Sequence, residues 1–451
     1  MLRMEGMTSG AVLDQALHKK VKIAVDARLA GTGGTGVATY RRAVLAALAA
    51  AGRTTLALRD DSIGRFGAPS TRRAAASRWL SAWSSRPRSV SARPIAAGRA
   101  PVRATSDGET AGLWRRDIFR LAQVHFARHG TLLRLTPPEP VGIMHWTYPI
   151  PALVEGWINV HTVHDVIPLR RPDLSAVAAE RLRACLMAIA AQTDRIVTVS
   201  AWARQTFLEM LPIPSELISD CGGGLVGLAG TQEAGTPGSG DTPSARLGRS
   251  GGVLPYDLRP DGYLFFCGTI EPRKNLARLA VAWRASGCGV PLVMAGPIGS
   301  DGADGDALRC ELERAGVLVL PYQDRSVLID LIRNARALVC VSLEEGFGLP
   351  VAEAMALGTP VLTSNGGALA EIAGGACLLV DPVDAQAIAE GLRRIVADDV
   401  LCAALTRRGL ARAEVFKPLA FGRRLTPLYD RLIDARIAEG VWPELETAGE
   451  R

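Results

Sequence analysis

Residues 343–358 read LEEGFGLPVAEAMALG and follow a short apolar run, Ala337–Val341. The run predicts a buried strand, and Pro350, a favoured residue of a first helical turn, predicts that a helix begins beside it. In the connecting loop, Gly346 and Gly348 lack a Cβ, so their backbone can approach a ligand closely. Backbone N–H groups at a helix N-terminus favour an anion or an electron-rich oxygen. This stretch therefore predicts one strand–loop–helix unit of a parallel sheet, with a ligand site in its loop.

The same alternation of strands and helices extends along most of the chain. The other apolar runs that predict buried strands are Lys22–Asp26, Gly142–Trp146, Asn159–Val163, Arg195–Val199, Tyr263–Cys267, Pro291–Ala295, Val317–Leu320, Pro360–Thr363 and Ala376–Val380. Helical patterns lie between them, at Ala38–Ala50, Asn275–Ser286, Ser326–Ala335 and Ala385–Val396. Because this alternation is typical of parallel sheets flanked by helices, the two series predict an α/β protein. We expect two Rossmann-like domains whose sheets face a central cleft.

Composition divides the chain into these domains. The stretch Gly222–Gly252 is crowded with Gly, Ser, Thr and Pro and has no period, which is typical of a linker or a surface insertion. The predicted organisation is an N-terminal Rossmann-like domain at 20–225 with an Arg-rich insertion at about 65–120, a Gly/Ser-rich linker at 226–260, a C-terminal Rossmann-like domain at 261–415, and a helix at 416–440 that packs back across both domains.

Overall composition indicates a globular protein. The chain has 451 residues, of which 48% are hydrophobic and 22% charged. It contains no run of 18 apolar residues, and Met1–Lys20 lacks the apolar core of a secretory signal. We therefore expect a cytoplasmic location.

The cysteines and histidines do not form a metal-binding pattern. The eight cysteines are spread singly without a C-x-x-C pair, and all six histidines lie at or before His164. We expect reduced, structural cysteines and no metal ion.

Two charged strings indicate the chemistry of the cleft. Glu345 and Glu353 are separated by seven residues, so both can face one cleft, where carboxylates accept hydrogen bonds from vicinal sugar hydroxyls. The alternative is that both are ordinary surface glutamates. The second string, GTIEPRKNL, follows the predicted strand Tyr263–Cys267 and brings Arg273 and Lys274 to its carboxyl end. An arginine and a lysine there could bind phosphate oxygens and stabilise negative charge.

These strings resemble those of glycosyltransferase family 4, whose signature is the same E-x₇-E spacing in the second domain. The resemblance implies a GT-B fold, retention of anomeric configuration and no metal requirement. It implies that Glu345 contacts the transferred sugar, Glu353 the ribose, and Arg273 and Lys274 the diphosphate. Many members carry an arginine directly after the first glycine, where this chain has Thr269. The implied donor-binding residues are Gly268, Thr269, Arg273, Lys274, Glu345, Gly346, Phe347, Gly348, Leu349 and Glu353.

The first domain carries a further match. Residues 160–168, VHTVHDVIP, resemble the "HD" segment of the family and place His164 near the sugar and the acceptor. The resemblance thus implies His164, Arg273, Lys274 and Glu345 as catalytic residues. Ser200 is expected to cap the following helix or to reach the cleft. Trp146 and Tyr148 are expected to stack on an acceptor sugar or to fill the core. The implied acceptor-side residues are Gly34, Gly36, Trp146, Tyr148, His164 and Asp165.

A basic stretch lies between Arg72 and Arg120. It contains eleven arginines against three acids, together with Trp79, Trp83 and Trp114. Basic and aromatic residues in this combination suit anionic lipid headgroups or phosphorylated acceptors. The alternative is a solvated insertion. No recognition motif accompanies the charge, so nucleic acid is not an expected partner.

The expected function is transfer of a hexose from a nucleotide-diphosphate sugar to a hydroxyl of a glycan or lipid-linked glycan. The TIEPRKN and HWTYPIP strings look most like those of bacterial mannosyltransferases of surface-polysaccharide biosynthesis, which implies GDP-mannose as donor. A location at the inner face of the cell membrane would follow from a lipid-linked acceptor. Two alternatives are a nucleotide-sugar epimerase of GT-B fold and a catalytically silent nucleotide-sugar-binding subunit.

Overall fold

The computed structural model describes residues 18–29, 36–60, 87–94, 111–228, 254–299 and 303–442. They form two α/β domains, each built on a largely parallel sheet. The expectation of two Rossmann-like domains is therefore confirmed. Most of the predicted strands begin and end within two residues of the observed bounds, because continuous apolar runs mark strands that are buried on both faces.

The first domain contains an eight-stranded sheet and a small three-stranded one. In chain order its strands are β1 (Ile23–Asp26), β2 (Thr55–Arg59), β3 (Arg88–Ser89), β4 (Ser91–Pro94), β5 (Ala111–Trp114), β6 (Leu133–Thr136), β7 (Ile143–Trp146), β8 (Ala152–Val154), β9 (Ile158–Val163), β10 (Arg195–Thr198) and β11 (Ile218–Asp220). The large sheet has the order β11-β10-β9-β7-β1-β2-β5-β4, in which only β4 is antiparallel to its neighbour. The small sheet is β3-β6-β8.

Helices cover both faces of the large sheet. They are α1 (Gly36–Ala50), α2 (Ile118–His129), α3 (Ile167–Arg170), α4 (Ala179–Ala190) and α5 (Ala201–Met210). All six side chains of β9 are buried, as are all four of β1 and of β7. The carboxyl ends of these three neighbouring strands therefore form a fixed edge on which the first-domain part of the cleft is built.

The second domain has a six-stranded, wholly parallel sheet. Its strands are β12 (Leu264–Cys267), β13 (Leu292–Ala295), β14 (Leu318–Leu320), β15 (Ala337–Cys340), β16 (Val361–Ser364) and β17 (Leu378–Val380). Its helices are α6 (Leu276–Ser286), α7 (Ala303–Arg314), α8 (Arg325–Asn334), α9 (Leu349–Ala356), α10 (Gly367–Ala373), α11 (Ala385–Ala397) and α12 (Asp399–Ala413). The order is β14-β13-β12-β15-β16-β17, so the chain reverses direction across the sheet between β12 and β15. Ligands of open parallel sheets bind at this switch point.

The last helix, α13 (Pro418–Ala438), returns to the first domain. Phe421, Leu425 and Tyr429 are fully buried and pack into the first-domain core, mainly against α1. Gly422 lies so close to α1 that a Cβ there would stand 2.8 Å from the Ala47 carbonyl oxygen. The helix therefore belongs physically to the first domain, although it follows the second in the chain.

One arginine of α13 joins the two connections between the domains. Arg424 donates through Nε to the Cys221 carbonyl (2.9 Å) and through Nη2 to the Gly223 carbonyl (3.0 Å), on the segment that leaves the first domain. It also donates through Nη1 to the Val415 carbonyl (2.7 Å), on the segment that leaves the second. Both crossings are thereby tied to a single side chain.

The end of the Arg-rich stretch was predicted to be part of an insertion, but it forms a strand of the large sheet. Strand β5 pairs with β2 in the large sheet, with Leu58 opposite Leu113, and α2 follows. The strand is only four residues long and lacks an extended apolar run, so its sequence gave too little signal. Residues 61–86 and 95–110, with Trp79 and Trp83, lie outside the described residues, as do Gly34 and most of the predicted linker. Within the described ranges, no helix combines the length and the apolarity that crossing a bilayer requires.

The packing of α13 can be tested with Phe421→Ala. The ring is fully buried against the first domain, so its loss leaves a cavity, and we expect the free energy of unfolding to fall by about 3–5 kcal/mol. Leu419→Ala on the same helix is the matched control, because Leu419 is half-exposed and should cost less than about 1 kcal/mol. Urea unfolding followed by circular dichroism measures both, and equal losses would contradict this packing.

Candidate active site

Two loops of the second domain meet at its switch point. One follows β12 and carries Gly268 to Asn275, and the other follows β15 and carries Ser342 to Gly348. They are joined by a hydrogen bond from the Leu343 N–H to the Arg273 carbonyl (2.8 Å). Asn275 adopts a left-handed conformation and its side-chain amide donates to the Val341 and Pro382 carbonyls (3.1 and 2.6 Å). The two strings recognised in the sequence therefore form one rigid unit.

Glu345 lies between Arg273 and Lys274. Arg273 Nη1 donates to Oε2 of Glu345 at 2.6 Å, and Lys274 Nζ donates to Oε1. Burial alone would raise the pKa of Glu345, but the two cations lower it to about 2. Arg273 also contacts Glu271 through Nε (2.7 Å). The structure thus brings together three of the four implied catalytic residues, as an ionised carboxylate held by two cations.

Glu353 is paired with a residue that sequence analysis missed. It lies in α9 with 3% of its surface exposed, and both its oxygens accept from Arg325 in a two-pronged contact (3.1 and 2.6 Å). Burial would lower the pKa of Arg325, but the Glu353 carboxylate raises it above its ordinary value. Arg325 begins α8, at the same sheet edge as the two loops. No local pattern links two residues so far apart in the chain, so only the fold could reveal the pair.

Among the other residues implied to bind the donor, the glycines matter for their backbone conformation, whereas the apolar residues pack their side chains into the protein. Gly268 and Gly348 have φ values of +150° and +101°, which side-chain-bearing residues rarely adopt, and both lie in the two loops. Thr269 lies beside Gly268 in the same loop. The Phe347 ring instead points away from the loops and packs edge-on against Phe416, with ring centroids 5.7 Å apart. Leu349 packs against the second-domain core.

His164 faces these loops from the first domain. It follows β9, and its Nε2 donates to the Thr147 carbonyl at 2.8 Å. Its ring meets that of Tyr40 edge-on, with centroids 4.9 Å apart. Burial lowers the pKa of His164, so the imidazole is neutral near pH 7. The neighbouring Asp165 accepts the Ile167 N–H (3.1 Å) and so helps to begin α3.

The two domains touch at Gly346. A Cβ placed on Gly346 would stand 2.1 Å from the His164 carbonyl oxygen, so this approach requires glycine. Ser200 donates its hydroxyl to the Gly346 carbonyl (2.6 Å) and accepts the Ala203 N–H (3.0 Å). Ser200 therefore caps α5, as expected, and also reaches the second domain. The loop that holds Glu345 is thus pressed directly against the loop that holds His164.

Two further contacts between the domains were not anticipated from the sequence. Arg170 Nη1 pairs with Glu344 (2.9 Å) while its guanidinium lies 4.7 Å from the centre of the Trp202 ring. Glu371 of the second domain accepts the N–H groups of Ala201 and Trp202 (2.9 and 2.8 Å). A carboxylate at a helix N-terminus is stabilised by unpaired N–H groups and the helix dipole. These contacts join the two domains beside the cleft.

The implied acceptor-side residues do not all reach the cleft. Trp146 is fully buried, stacks on His161 and donates its indole N–H to Asn159 (3.3 Å). Of its two expected roles, Trp146 therefore fills the core rather than stacking on an acceptor sugar, because β7 is buried along its whole length. Tyr148 is only partly buried and lies beneath the Arg28 guanidinium, 5.0 Å from it. Gly36 begins α1.

The described acidic, histidine and cysteine side chains do not gather into a metal site. In the part of the chain that the structure describes, no group of three or more His, Cys, Asp or Glu side chains could hold a metal ion. The described cysteines are all free thiols.

The second domain is similar to a known family of domains. Residues 259–412 match the family model described as "Glycosyl transferases group 1". The chain is 37% identical to the O-antigen chain mannosyltransferase B of Escherichia coli over 169 residues, which are 36% of this chain and 44% of that protein. It is 25% identical to the serotype-specific mannosyltransferase WbdA of Escherichia coli over 291 residues, 60% of this chain and 33% of that protein. The chain thus spans less than half the length of these relatives.

A solved structure shares the architecture of both domains. The sucrose-phosphate synthase of Thermosynechococcus elongatus superposes with a TM-score of 0.62 at 19% identity, covering 92% of this chain and 100% of that one. At this identity the likeness shows the fold alone. It confirms the predicted fold class, which is GT-B with two Rossmann-like domains.

The ion pairs of Glu345 predict how stability depends on pH. The pKa of Glu345 is about 2 in the folded protein and about 4.5 in an unfolded chain, so an unfolded chain takes up the proton first. The carboxylate therefore stabilises the fold above about pH 4.5, and this contribution is lost as the pH falls towards 2. Glu345→Gln should be less stable than the parent at pH 7, and the difference should shrink between about pH 5 and pH 2.

Urea midpoints measured across this range test the prediction. Glu390→Gln serves as the control, because Glu390 is an exposed residue of α11. A difference between Glu345→Gln and the parent that stays constant from pH 7 to pH 3 would show that the carboxylate is not held by these cations.

Proposed function

We propose that the protein is a retaining glycosyltransferase that moves a hexose from a nucleotide-diphosphate sugar to a hydroxyl of a glycan or lipid-linked glycan. The observation that carries the proposal is the pairing of Arg273 and Lys274 with Glu345 at the switch point of a parallel sheet. All these residues lie within the 259–412 segment that matches the glycosyl transferase model. A site with a buried lysine and a partly buried arginine beside a carboxylate suits a substrate that carries both phosphates and hydroxyls.

The proposed roles follow from where charge develops. Breaking the bond between the sugar and the diphosphate leaves negative charge on the leaving phosphate, and fixed cations lower the energy of that state. Lys274 and Arg273 take this role. Glu345 is ionised at neutral pH and accepts hydrogen bonds from hydroxyls of the transferred sugar. Glu353 accepts hydrogen bonds from the hydroxyls of the ribose. Because Arg325 already holds both oxygens of Glu353, the ribose must share these oxygens with it or displace it.

His164 lies on the opposite wall of the cleft. It is neutral, so it can bind a hydroxyl of the sugar or of the acceptor without repelling the cations. The first-domain motifs contain no carboxylate that is an obvious covalent nucleophile, so the reaction is proposed to be a displacement on one face of the sugar. In it, a phosphate oxygen of the donor accepts the acceptor proton. The chemistry requires no metal ion.

The proposed donor is GDP-mannose. Support comes from the printed names of the two relatives, both mannosyltransferases, one of them of the O-antigen chain. An acceptor of that kind would be a glycan of a surface polysaccharide. The exposed residues Arg116 and Arg120, at the start of α2, belong to the basic stretch. If the acceptor is lipid-linked, we propose that this stretch faces an anionic membrane.

The function can be tested with purified protein and a panel of GDP-, UDP- and ADP-sugars in excess EDTA. We expect nucleotide release that depends on a mannose-type acceptor and on GDP-mannose, and Lys274→Ala should reduce it about 10²–10³-fold. Lys417→Ala is the matched control, because Lys417 is exposed and pairs with Glu414 in the neighbouring turn. Epimerisation without an acceptor, or binding without turnover of any donor, would favour one of the alternative functions.

The contact at Gly346 yields a second prediction. Gly346→Ala would place a methyl group against the His164 carbonyl, so the domains could not close to the observed distance. Because the donor residues lie in the second domain, the dissociation constant for the nucleotide should change less than about 3-fold, whereas kcat should fall about 100-fold. Gly366→Ala is the control, since a Cβ there meets no atom within 4 Å. A normal kcat for Gly346→Ala would show that closure does not require this contact.

A further inference from the structure

The first-domain sheet has its own switch point, between β1 and β7. From β1 the order continues to β2, β5 and β4 on one side, and from β7 to β9, β10 and β11 on the other. The carboxyl ends of two such strands diverge and leave a crevice. Asp26 ends β1, Thr147 directly follows β7, and His164 directly follows β9. Because these strands are neighbours in the sheet, Asp26, Thr147 and His164 lie side by side in that order along one edge of the crevice.

Asp26 holds Thr147 across this crevice. One carboxylate oxygen, Oδ2, accepts both the Thr147 N–H (2.5 Å) and the Thr147 hydroxyl (2.7 Å). Asp26 is 2% exposed and Thr147 1%. The Arg41 side chain, also buried, donates through Nε to the Asp26 carbonyl (2.6 Å). Burial raises the pKa of the Asp26 carboxyl, and the Thr147 hydrogen bonds and the Arg41 guanidinium act against that rise. With its N–H and its hydroxyl both bound to one oxygen, Thr147 has a fixed backbone and side-chain rotamer.

The fixed backbone of Thr147 in turn determines the state of His164. The Thr147 carbonyl contacts His164 Nε2 at 2.8 Å, and a carbonyl can only accept. Nε2 must therefore carry the hydrogen, and in a neutral imidazole the other nitrogen, Nδ1, then has a free lone pair. The ring is also fixed laterally by Tyr40. His164 is thus presented as an acceptor of hydrogen bonds, rather than as a donor.

We infer that Asp26 is a positioning residue, which sets the tautomer and the orientation of His164 through Thr147. His164 Nδ1 then accepts a hydrogen bond from a hydroxyl group bound in the cleft. The inference rests on the proposed function for the identity of that hydroxyl, which belongs to the sugar or the acceptor. The link from Asp26 to the His164 tautomer is independent of which substrate is bound.

The tautomer can be measured directly on protein labelled with ¹⁵N in histidine. Long-range ¹⁵N–¹H spectra distinguish a protonated ring nitrogen from one with a free lone pair, and the His164→Gln spectrum assigns the signals of His164 among the six histidines. In the parent we expect a protonated Nε2 and an unprotonated Nδ1. Asp26→Ala removes the oxygen that holds Thr147, so His164 should exchange between its two tautomers. The ¹⁵N chemical shifts of its two ring nitrogens should then move towards the average of the protonated and unprotonated values. Asp26→Asn keeps an oxygen that can accept both bonds and should retain the parent tautomer.

The control is Asp194→Ala. Asp194 accepts the Asn159 N–H (2.7 Å) and pairs with Arg436 at the opposite end of the same sheet, so its loss affects stability without reaching His164. If Asp26→Ala does not fold, Asp26→Ser replaces it, because the serine hydroxyl is too short to hold both groups of Thr147. With the preferred donor, Asp26→Ala or Asp26→Ser should lower kcat about 10-fold to 100-fold. Asp26→Asn should restore most of the activity.

The outcomes separate this inference from the proposed function. A folded Asp26→Ala or Asp26→Ser protein with the parent tautomer would overturn the positioning role, even if transfer activity is found. A shifted tautomer in these variants, with the parent pattern in Asp194→Ala, would support the role even if the parent transfers none of the tested sugars. In that case only the proposed function would fail.

Discussion

The close approach of Gly346 to the His164 carbonyl is the contact on which the geometry of the cleft depends. It allows the loop of Glu345, Arg273 and Lys274 to lie directly against the first-domain edge. A side chain at this position would separate the two walls by more than an ångström. Around this point the domains add the Arg170–Glu344 pair and the Glu371 cap of α5, both at the rim. Backbone contact at the centre and charged contacts at the rim together define one closed site.

The loop at this contact is also connected to the chain crossings. Phe347 packs against Phe416, beside the point where the chain leaves the second domain, and a Cβ on Gly223 would stand 2.9 Å from the Phe347 ring. Arg424 ties both crossings together. A movement of one domain relative to the other must therefore change the surroundings of Phe347, and with it the loop that carries Glu345. Closure of the cleft and arrangement of the site are thus mechanically linked.

Several acidic groups with little exposure lie where the two parallel sheets change direction. Asp26 lies at the first-domain switch point, and Glu345 at that of the second domain. Glu353 lies nearby with Arg325. Removing charges from water costs free energy that ion pairing recovers only in part, so such groups are seldom retained for stability alone. Their placement at the crevices, rather than in the centres of the cores, fits a protein whose polar interior serves a ligand.

The sequence alone determined most of the buried strands and pointed to the two loops of the proposed site. Apolar runs predict most of the buried strands, and the EGFGLP and EPRKN strings predict which loops meet a ligand, because burial and backbone sterics act over a few neighbouring residues. Only the tertiary structure decided the partners. It paired Arg325 with Glu353 and Arg170 with Glu344, placed Trp146 in the core, inserted β5 into the large sheet, and linked Asp26 to His164 through Thr147. These outcomes depend on strand order and on the angle between domains, which join residues that are distant in the chain and which no local pattern encodes.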